Sequence, residues 1–265
     1  MIEDLDRPVA DDRSEGPQVT IAVPSYNQGE YLGEALQSIF GADLPVEVFV
    51  ADGGSEDDSL AVIEHWKSQL AGWRSYPDRG QAAAINECIA RGTAPYVAWM
   101  NSDDGYLPGG LAYLVEQLEK HPEWPAVYGR VWNADKRLLP TSRVWVEPFS
   151  ERAMAMRCII SQPATLIRRT AWEAVGGLDE ELQLAMDYDL WWRLYREFGP
   201  LGLVEQDIAV NRLHEGTKTR TQRKRHYDEA MSVVRKYHGR VPIKWWIYWV
   251  VAVWFRSILT PQKNR

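Results

Sequence analysis

The feature that most constrains this chain is a repeated alternation of short apolar runs with longer amphipathic ones. VTIAV (residues 19–23) has the unbroken apolar character of a buried strand. Residues 30–40 then place Tyr31, Leu32, Ala35, Leu36 and Ile39 on one side of a helix. VEVFVA (46–51) reads as the next strand, and Ser55 with Asp58 looks like a capping box opening a helix that runs to about Ala71. A short strand near 73–76, a helix over 81–91, a strand at 95–100 and a helix entered through Pro108 and ending near Lys120 follow. Strands alternating with helices of about 10–15 residues predict βαβ units, hence an α/β fold with a mostly parallel central sheet flanked by helices. Beyond Pro125 the pattern is mixed: strand-like AVYGRVW, a Trp- and Arg-rich stretch, PATLIRR, then a helix over 187–198.

In open α/β sheets, ligands sit at the carboxyl ends of the strands. The polar segments there are PSYNQ (24–28), DGGS (52–55), DRGQ (78–81) and NSDD (101–104). Four polar loops converging on one rim point to a site, although each alone also fits a solvated turn. Asp103 and Asp104 are adjacent carboxylates that repel each other, which favours a cation between them and a ligand. Oxygen ligands on a short loop suit Mg²⁺ or Mn²⁺, which also bridge phosphate oxygens. The competing reading makes Asp104 the cap of the helix entered through Pro108. Asp52, followed by two glycines, can accept from a ring N–H or a ribose hydroxyl, or simply form an Asp-Gly turn. There is no GxGxxG and no GxxxxGK[ST], so neither a dinucleotide fingerprint nor a P-loop is present.

Taken together, PSYNQGEYLGEALQSI, VFVADGGSEDDS, YPDRGQAAAINECIARG, VAWMNSDD, SQPATLIRRTAWEAVGGLDEEL and MDYDLWWRL resemble a family 2 glycosyltransferase of the GT-A fold, over roughly residues 18–215 and in the right order. The resemblance implies a Rossmann-like sheet, a nucleoside-diphosphate sugar donor (a UDP or dTDP sugar), a divalent metal (Mn²⁺ or Mg²⁺) and inversion at the anomeric carbon. It places Pro24, Tyr26, Asn27, Asp52, Asp78, Arg79 and Ser102 around the nucleotide. Asn101-Ser102-Asp103 stands where the family has Asp-x-Asp, so metal ligation would rest chiefly on Asp103, with Asp104 in support. Met186-Asp187 resembles the family's Glu-Asp motif with Met in place of Glu, which makes Asp187 the catalytic base, while Asp189 should cap the helix or face solvent. Asp187 at a helix start also fits a plain N-cap. His214 resembles a late His that reaches the diphosphate or the metal, flanked by Arg212 and Lys218 as a positive lid for the diphosphate. Gln162 and Trp191 are expected on the acceptor side.

Charge is split along the chain: residues 1–211 carry a net −17 and residues 212–265 a net +10. The basic end contains IKWWIYWVVAVWFRSIL, whose eleven unbroken apolar residues include four Trp. That run is too short for a bilayer, which needs about 20, but its composition suits a membrane interface. The expected organisation is therefore a disordered arm (1–16), a GT-A domain (17–215) and a basic, Trp-rich helical extension (216–265) in peripheral contact with anionic lipid. Nucleic acid fits the aromatics less well. The alternative is a helix packed on the body or against a second copy.

The expected activity is single-sugar transfer to a glycan or lipid-linked glycan acceptor, in cell-surface polysaccharide synthesis. Two cysteines, Cys88 and Cys158, are too few for a disulfide scaffold or a thiolate zinc site. With no apolar leader at the start, they fit the cytoplasm or the inner face of its membrane. The alternatives are a non-catalytic nucleotide-sugar-binding relative and a nucleotidyltransferase, whose expected Gly-rich phosphate loop PSYNQGE does not resemble. Processive synthesis fits less well, because QxxRW and multiple membrane spans are missing from this sequence.

Overall fold

The computed structural model describes residues 16–214 and 216–255, so the expected arm falls outside it except for Gly16. The first half alternates as the pattern predicts: β1 (Val19–Ser25), α1 (Gly29–Phe40), β2 (Val46–Asp52), α2 (Ser59–Trp66), β3 (Gly72–Ser75), α3 (Gln81–Arg91) and β4 (Tyr96–Trp99). Next come β5 (Gly105–Tyr106), α4 (Gly110–Lys120), β6 (Ala126–Ala134), β7 (Pro140–Arg143) and α5 (Glu151–Met156). A 3-10 turn (Gln162–Ala164) leads into β8 (Thr165–Arg168), α6 (Arg169–Ala174), α7 (Met186–Phe198) and β9 (Gly202–Arg212). The chain then forms α8 (Lys218–Thr221), α9 (Arg223–His238) and α10 (Ile243–Trp249), which continues as a π-helical turn over Val250–Phe255.

One sheet runs in the order β3-β2-β1-β4-β8-β6-β9-β5, with β7 paired to β6. The expected α/β architecture is present. Its first four strands are parallel, whereas β8 is antiparallel to both β4 and β6. Alternate β1 side chains feed two cores: Ile21 and Val23 pack with α1 and α4, while Ala22 joins α3 and α7 on the opposite face. The second core explains much of the tryptophan: Trp99 stacks on Trp191 at 5.9 Å and meets Trp172 edge-on at 6.0 Å.

Two local expectations are corrected. Ser55 does not cap α2, because its hydroxyl is held by Asp52 at 2.5 Å; α2 starts at Ser59, and it ends at Trp66 well before Ala71. Asp104 does not cap α4 either, since β5 intervenes and pairs with β9.

Residues 256–265 of the expected extension lie outside the described residues; the described part, 216–255, is joined to the body more closely than expected. Ala230, Met231, Val233 and Val234 of α9 and Trp245 of α10 are buried in the same core as Trp191 and Trp192. Tyr237 stacks on Trp192 at 5.7 Å, and Trp245 Nε1 donates to the Ala155 carbonyl at 2.8 Å. Among the described residues, no helix is long and apolar enough to cross a membrane.

Candidate active site

Ser25, Asp52 and Ser75 lie in register at the carboxyl ends of β1, β2 and β3. Asp52 is fully buried. Its carboxylate accepts from the amides of Gly54 and Ser55 and from the hydroxyls of Ser55 and Ser75, at 2.5–3.1 Å. A ring N–H would therefore reach Asp52 only by displacing the Ser55 hydroxyl, so the carboxylate acts first as the tie that closes the DGGS loop. Pro24 and Ser102 are buried as well. Tyr26, by contrast, is 61% exposed and its ring lies over Gly53, where an added Cβ would sit 3.2 Å from the ring. Asn27, in a left-handed conformation (φ 51°), links this loop to the next: its amide donates to Ser55 Oγ and its Oδ1 accepts from the Glu56 amide. Asp78 is held by Arg74 at 3.1 Å and by the Gly80 amide, while Arg79 pairs with Glu180 at 2.8 Å.

The NSDD loop is cross-braced. Asn101 Oδ1 accepts from Gln81 Nε2 at 2.7 Å, and Gln81 Oε1 accepts from Lys218 Nζ at 2.8 Å. Asn101 Nδ2 donates to Asp104 and to Gln162, whose own amide donates to the Trp99 carbonyl. Gln162, expected to line the acceptor side, is thus a buried prop under Asn101. The second Asp104 oxygen accepts from the Arg212 amide at 3.0 Å. With both oxygens turned inward, Asp104 anchors the loop and is badly placed to support a metal. Burial, and then the Asp103 charge beside it, raise its pKa.

Asp103 keeps a partly exposed carboxylate, and His214 Nε2 lies 2.9 Å from its Oδ2. Arg212 is the clearest correction on this side. It is 1% exposed, and its guanidinium is spent on the Asp103 and Lys136 carbonyls, on Glu34 and on the face of Tyr31. Buried, and held through Nε and both terminal nitrogens, it braces the His214 loop from within the protein. Lys218 is the cation that remains at the rim; desolvation lowers its pKa, opposed by the charges of Asp103 and Asp78.

Among the described residues no three His, Cys, Asp or Glu side chains cluster as a metal cage. Asp103 and His214 nonetheless fit an ion held by one or two protein ligands and completed by phosphate and water, the habit of Mg²⁺ and of similar Mn²⁺ sites.

Asp187 stands in a separate opening of about 480 Å³, lined also by Met156, Arg157, Tyr227, Lys244, Trp245 and Tyr248. Burial pushes its carboxyl up to about 6, against a hydrogen bond from the Tyr188 amide at 2.7 Å. The chain joins this cleft to the rim at α8, where Thr219 lines the cleft directly after Lys218. Gly80 of the rim packs on Gln183, two residues before Ala185 of the cleft wall, so tightly that a Cβ would come within 2.8 Å of the amide oxygen.

Asp189, expected to cap or face solvent, is instead 1% exposed, bonded to Arg193 at 2.6 Å, Tyr237 at 2.8 Å and Lys236 at 3.0 Å. Trp191, expected on the acceptor side, is fully buried against Trp99 and cannot touch a ligand. The residues that sequence reasoning missed are Gln81, which links Asn101 to Lys218, and Glu229 of α9. One Glu229 oxygen accepts from the amides of Gln183, Leu184 and Ala185, at 2.7–3.1 Å, and so fixes the turn before Asp187. Gln81 is the last residue of the DRGQ loop, a signal present in the sequence; nothing local marks Glu229. His226 also lines the cleft, and burial lowers its pKa.

Comparison with known proteins agrees with this geometry. The chain is 26% identical to a chondroitin synthase of Escherichia coli over 206 residues, 77% of this chain but 30% of that protein. A Pasteurella multocida hyaluronan synthase is likewise 26% identical over 77% of this chain and 21% of its own length. The chain thus spans less than a third of these relatives. Among solved structures, a Pyrobaculum calidifontis mannosyltransferase, PcManGT, in complex with GDP-Man and Mn²⁺ superposes with TM-score 0.65 at 19% identity, covering 91% of this chain and 71% of that one. Staphylococcus aureus TarS in complex with UDP-GlcNAc gives TM-score 0.64 at 16% identity, over 89% of this chain and 79% of that one. The Glycosyl transferase family 2 model matches residues 20–170, which carry β1 to β8 and every loop of the rim up to the 3-10 turn; with more than half its length accounted for in this way, the chain belongs to glycosyl transferase family 2.

Proposed function

We propose that this protein transfers one sugar from a nucleoside-diphosphate sugar to a hydroxyl of a glycan or lipid-linked glycan, inverting the anomeric carbon, with Asp187 as the base. The observation that carries the reading is the pairing of two openings: a polar rim with Asp103, His214 and Lys218, and beside it a cleft holding one half-buried carboxylate pushed up to about 6. A carboxyl group with that pKa is ionised at neutral pH yet basic enough to take a proton. The acceptor oxygen attacks the anomeric carbon as its proton passes to an Asp187 oxygen. The bond from that carbon to the diphosphate breaks on the opposite face, and the electron pair leaves with the diphosphate through an oxocarbenium-like transition state.

Tyr26 offers an exposed ring for the base, and Asn27 and Asp78 border it. Lys218, fixed by Gln81, meets the leaving diphosphate. Asp103 and His214 would hold Mn²⁺ or Mg²⁺, which supplies Lewis-acid neutralisation of the departing charge. The named relatives support a role in cell-surface polysaccharide synthesis, and PcManGT and TarS support a nucleotide-sugar donor. Free Cys88 and Cys158 support a cytoplasmic site of action.

The test is thermal stabilisation by UDP, dTDP and GDP, each with Mn²⁺ or with EDTA, followed by nucleotide release from the matching sugars. One nucleotide should stabilise the protein with Mn²⁺, and Asp103→Asn should remove the metal-dependent part of the shift. Equal stabilisation in EDTA and Mn²⁺ would sink the metal role. Nucleotide binding with no sugar transfer or donor hydrolysis would favour a non-catalytic binding protein.

A further inference from the structure

The helix running through residues 243–255 has two unlike sides. Trp245 is buried and Trp249 Nε1 donates to Asp228, so these two tryptophans dock on the body. Ile243, Trp246, Ile247, Tyr248, Val250 and Val251 are all exposed, an unusual concentration of large apolar side chains for a surface helix. At 100° per residue Ile243 and Ile247 point away from Trp245 and Trp249, with Trp246 and Tyr248 on the two flanks.

Charge says what covers this face. The patch belongs to the end of the chain with net +10, joined to a body of net −17, so an anionic partner is attracted here and repelled elsewhere. Cations stand at the edge of the Asp187 cleft, each beside an aromatic ring: Lys244 over Tyr248 at 5.6 Å, and Arg157 over the exposed Trp145 at 4.6 Å. Amphipathic rings beside basic side chains suit the headgroup layer of an anionic bilayer, where both parts are satisfied at once. The same helix supplies Lys244, Trp245 and Tyr248 to the cleft, so the apolar face and the Asp187 opening share one border.

We propose that the exposed face of residues 243–251 rests on an anionic lipid surface and thereby presents the Asp187 cleft to an acceptor carried in that membrane. The acceptor part rests on the function proposed above. Removing the helix is a poor test, because Trp245 is core; placing charge on its exposed face is a better one. The full chain should float with phosphatidylcholine vesicles containing phosphatidylglycerol and stay behind with phosphatidylcholine alone. Trp246→Glu with Ile247→Glu should weaken that partitioning about tenfold or more. Their melting temperature, read in parallel, should stay near that of the wild type. With Cys158→Ser in both labelled proteins, since Cys158 lines the same cleft, a polarity-sensitive dye on Thr219→Cys, in the cleft, should shift to the blue on the anionic vesicles. The same dye on Arg137→Cys, in the turn between β6 and β7, should not.

Absence of flotation, flotation indifferent to the double substitution, or equal dye shifts at both positions would overturn the proposal. So would a dimer in solution that the double substitution splits, since a second copy would then cover the face. Nucleotide stabilisation with Mn²⁺, measured on the same preparation, keeps the two readings apart. Flotation without nucleotide binding would defeat the function and spare the surface; the converse would defeat the surface alone.

Discussion

Around Asp103 almost every polar side chain is held by another: Asn101 by Gln81, Asp104 by Arg212 and Asn101, Gln162 by the Trp99 carbonyl, Arg212 by four separate partners. Around Asp187 the surroundings are sparser: the carboxylate accepts from the Tyr188 amide, a histidine leaves its Nδ1 without a partner among the described residues, and Met156, Leu184, Ala185, Ala230 and Trp245 bring apolar surface to the walls. The proposed diphosphate would benefit from fixed donors at the rim, because dipoles already in place need not reorganise as charge develops. A base benefits from the opposite. Few hydrogen bonds and partial burial raise its proton affinity, and only then can it accept a proton from a hydroxyl. Asp189 shows the contrast within one helical turn. It is almost wholly buried, and burial alone would raise its pKa, yet hydrogen bonds from Arg193 and Lys236 hold it below the usual carboxylate range.

The comparison breaks most visibly at Asp187 itself. Asp187→Asn should lower sugar transfer by about 10²–10⁴ while nucleotide stabilisation is kept, since the base touches acceptor and not diphosphate. Near-normal turnover would move the base elsewhere, with His226 the next group to replace. Asp189→Asn should keep its chemistry per folded molecule but lose about 3 kcal/mol, because Arg193 and Lys236 would then face a neutral amide. Denaturant unfolding measures this, and an unchanged midpoint would show that the triad contributes nothing.

A pH series sharpens the contrast further. The Asp187 carboxyl is raised in the folded state to about 6, so folding disfavours its charge, and this term costs stability progressively from about pH 4 to pH 6. Asp187→Asn should therefore be more stable than wild type at pH 7, on the order of 1–2 kcal/mol after discounting for its partial exposure, and no more stable below about pH 4. Wild-type turnover should rise through about pH 6. Melting temperatures of the two proteins at both ends of the range decide it. The smallest effect belongs to the rim: Lys218→Ala should weaken nucleotide binding about tenfold, with the loss shrinking at high salt. A change in acceptor KM alone would transfer Lys218 to the cleft.

The rim was legible in the sequence because its loops follow strands whose period is unambiguous, and α1 buries the very residues its spacing predicts, Tyr31, Leu32, Ala35, Leu36 and Ile39. Direction was not legible. Arg212 and Trp191 are each of the right chemical type and close in sequence to the site, but side-chain orientation depends on packing: the strand carries Arg212 beneath the loop, and the α7 face turns Trp191 onto Trp99. Ser55 failed as a cap for a related reason, because Asp52, three residues earlier, competes for the same hydroxyl. Glu229 lay beyond reach altogether; its partners are more than forty residues away, and no local pattern encodes a carboxylate closing on a distant turn.

That carboxylate also bears on where such an enzyme can be cut or recombined. The family match ends at residue 170, before Asp187, and the turn leading into Asp187 is gripped from α9 by Glu229, itself steadied by Arg225 at 2.7 Å. A chimera that exchanged everything after residue 215 for another relative's ending would keep all the recognisable motifs and lose the clamp on residues 183–185. Modules of this protein are therefore better drawn by which amides a segment holds than by where recognisable sequence stops, and α9 travels with Asp187 as one inheritable piece.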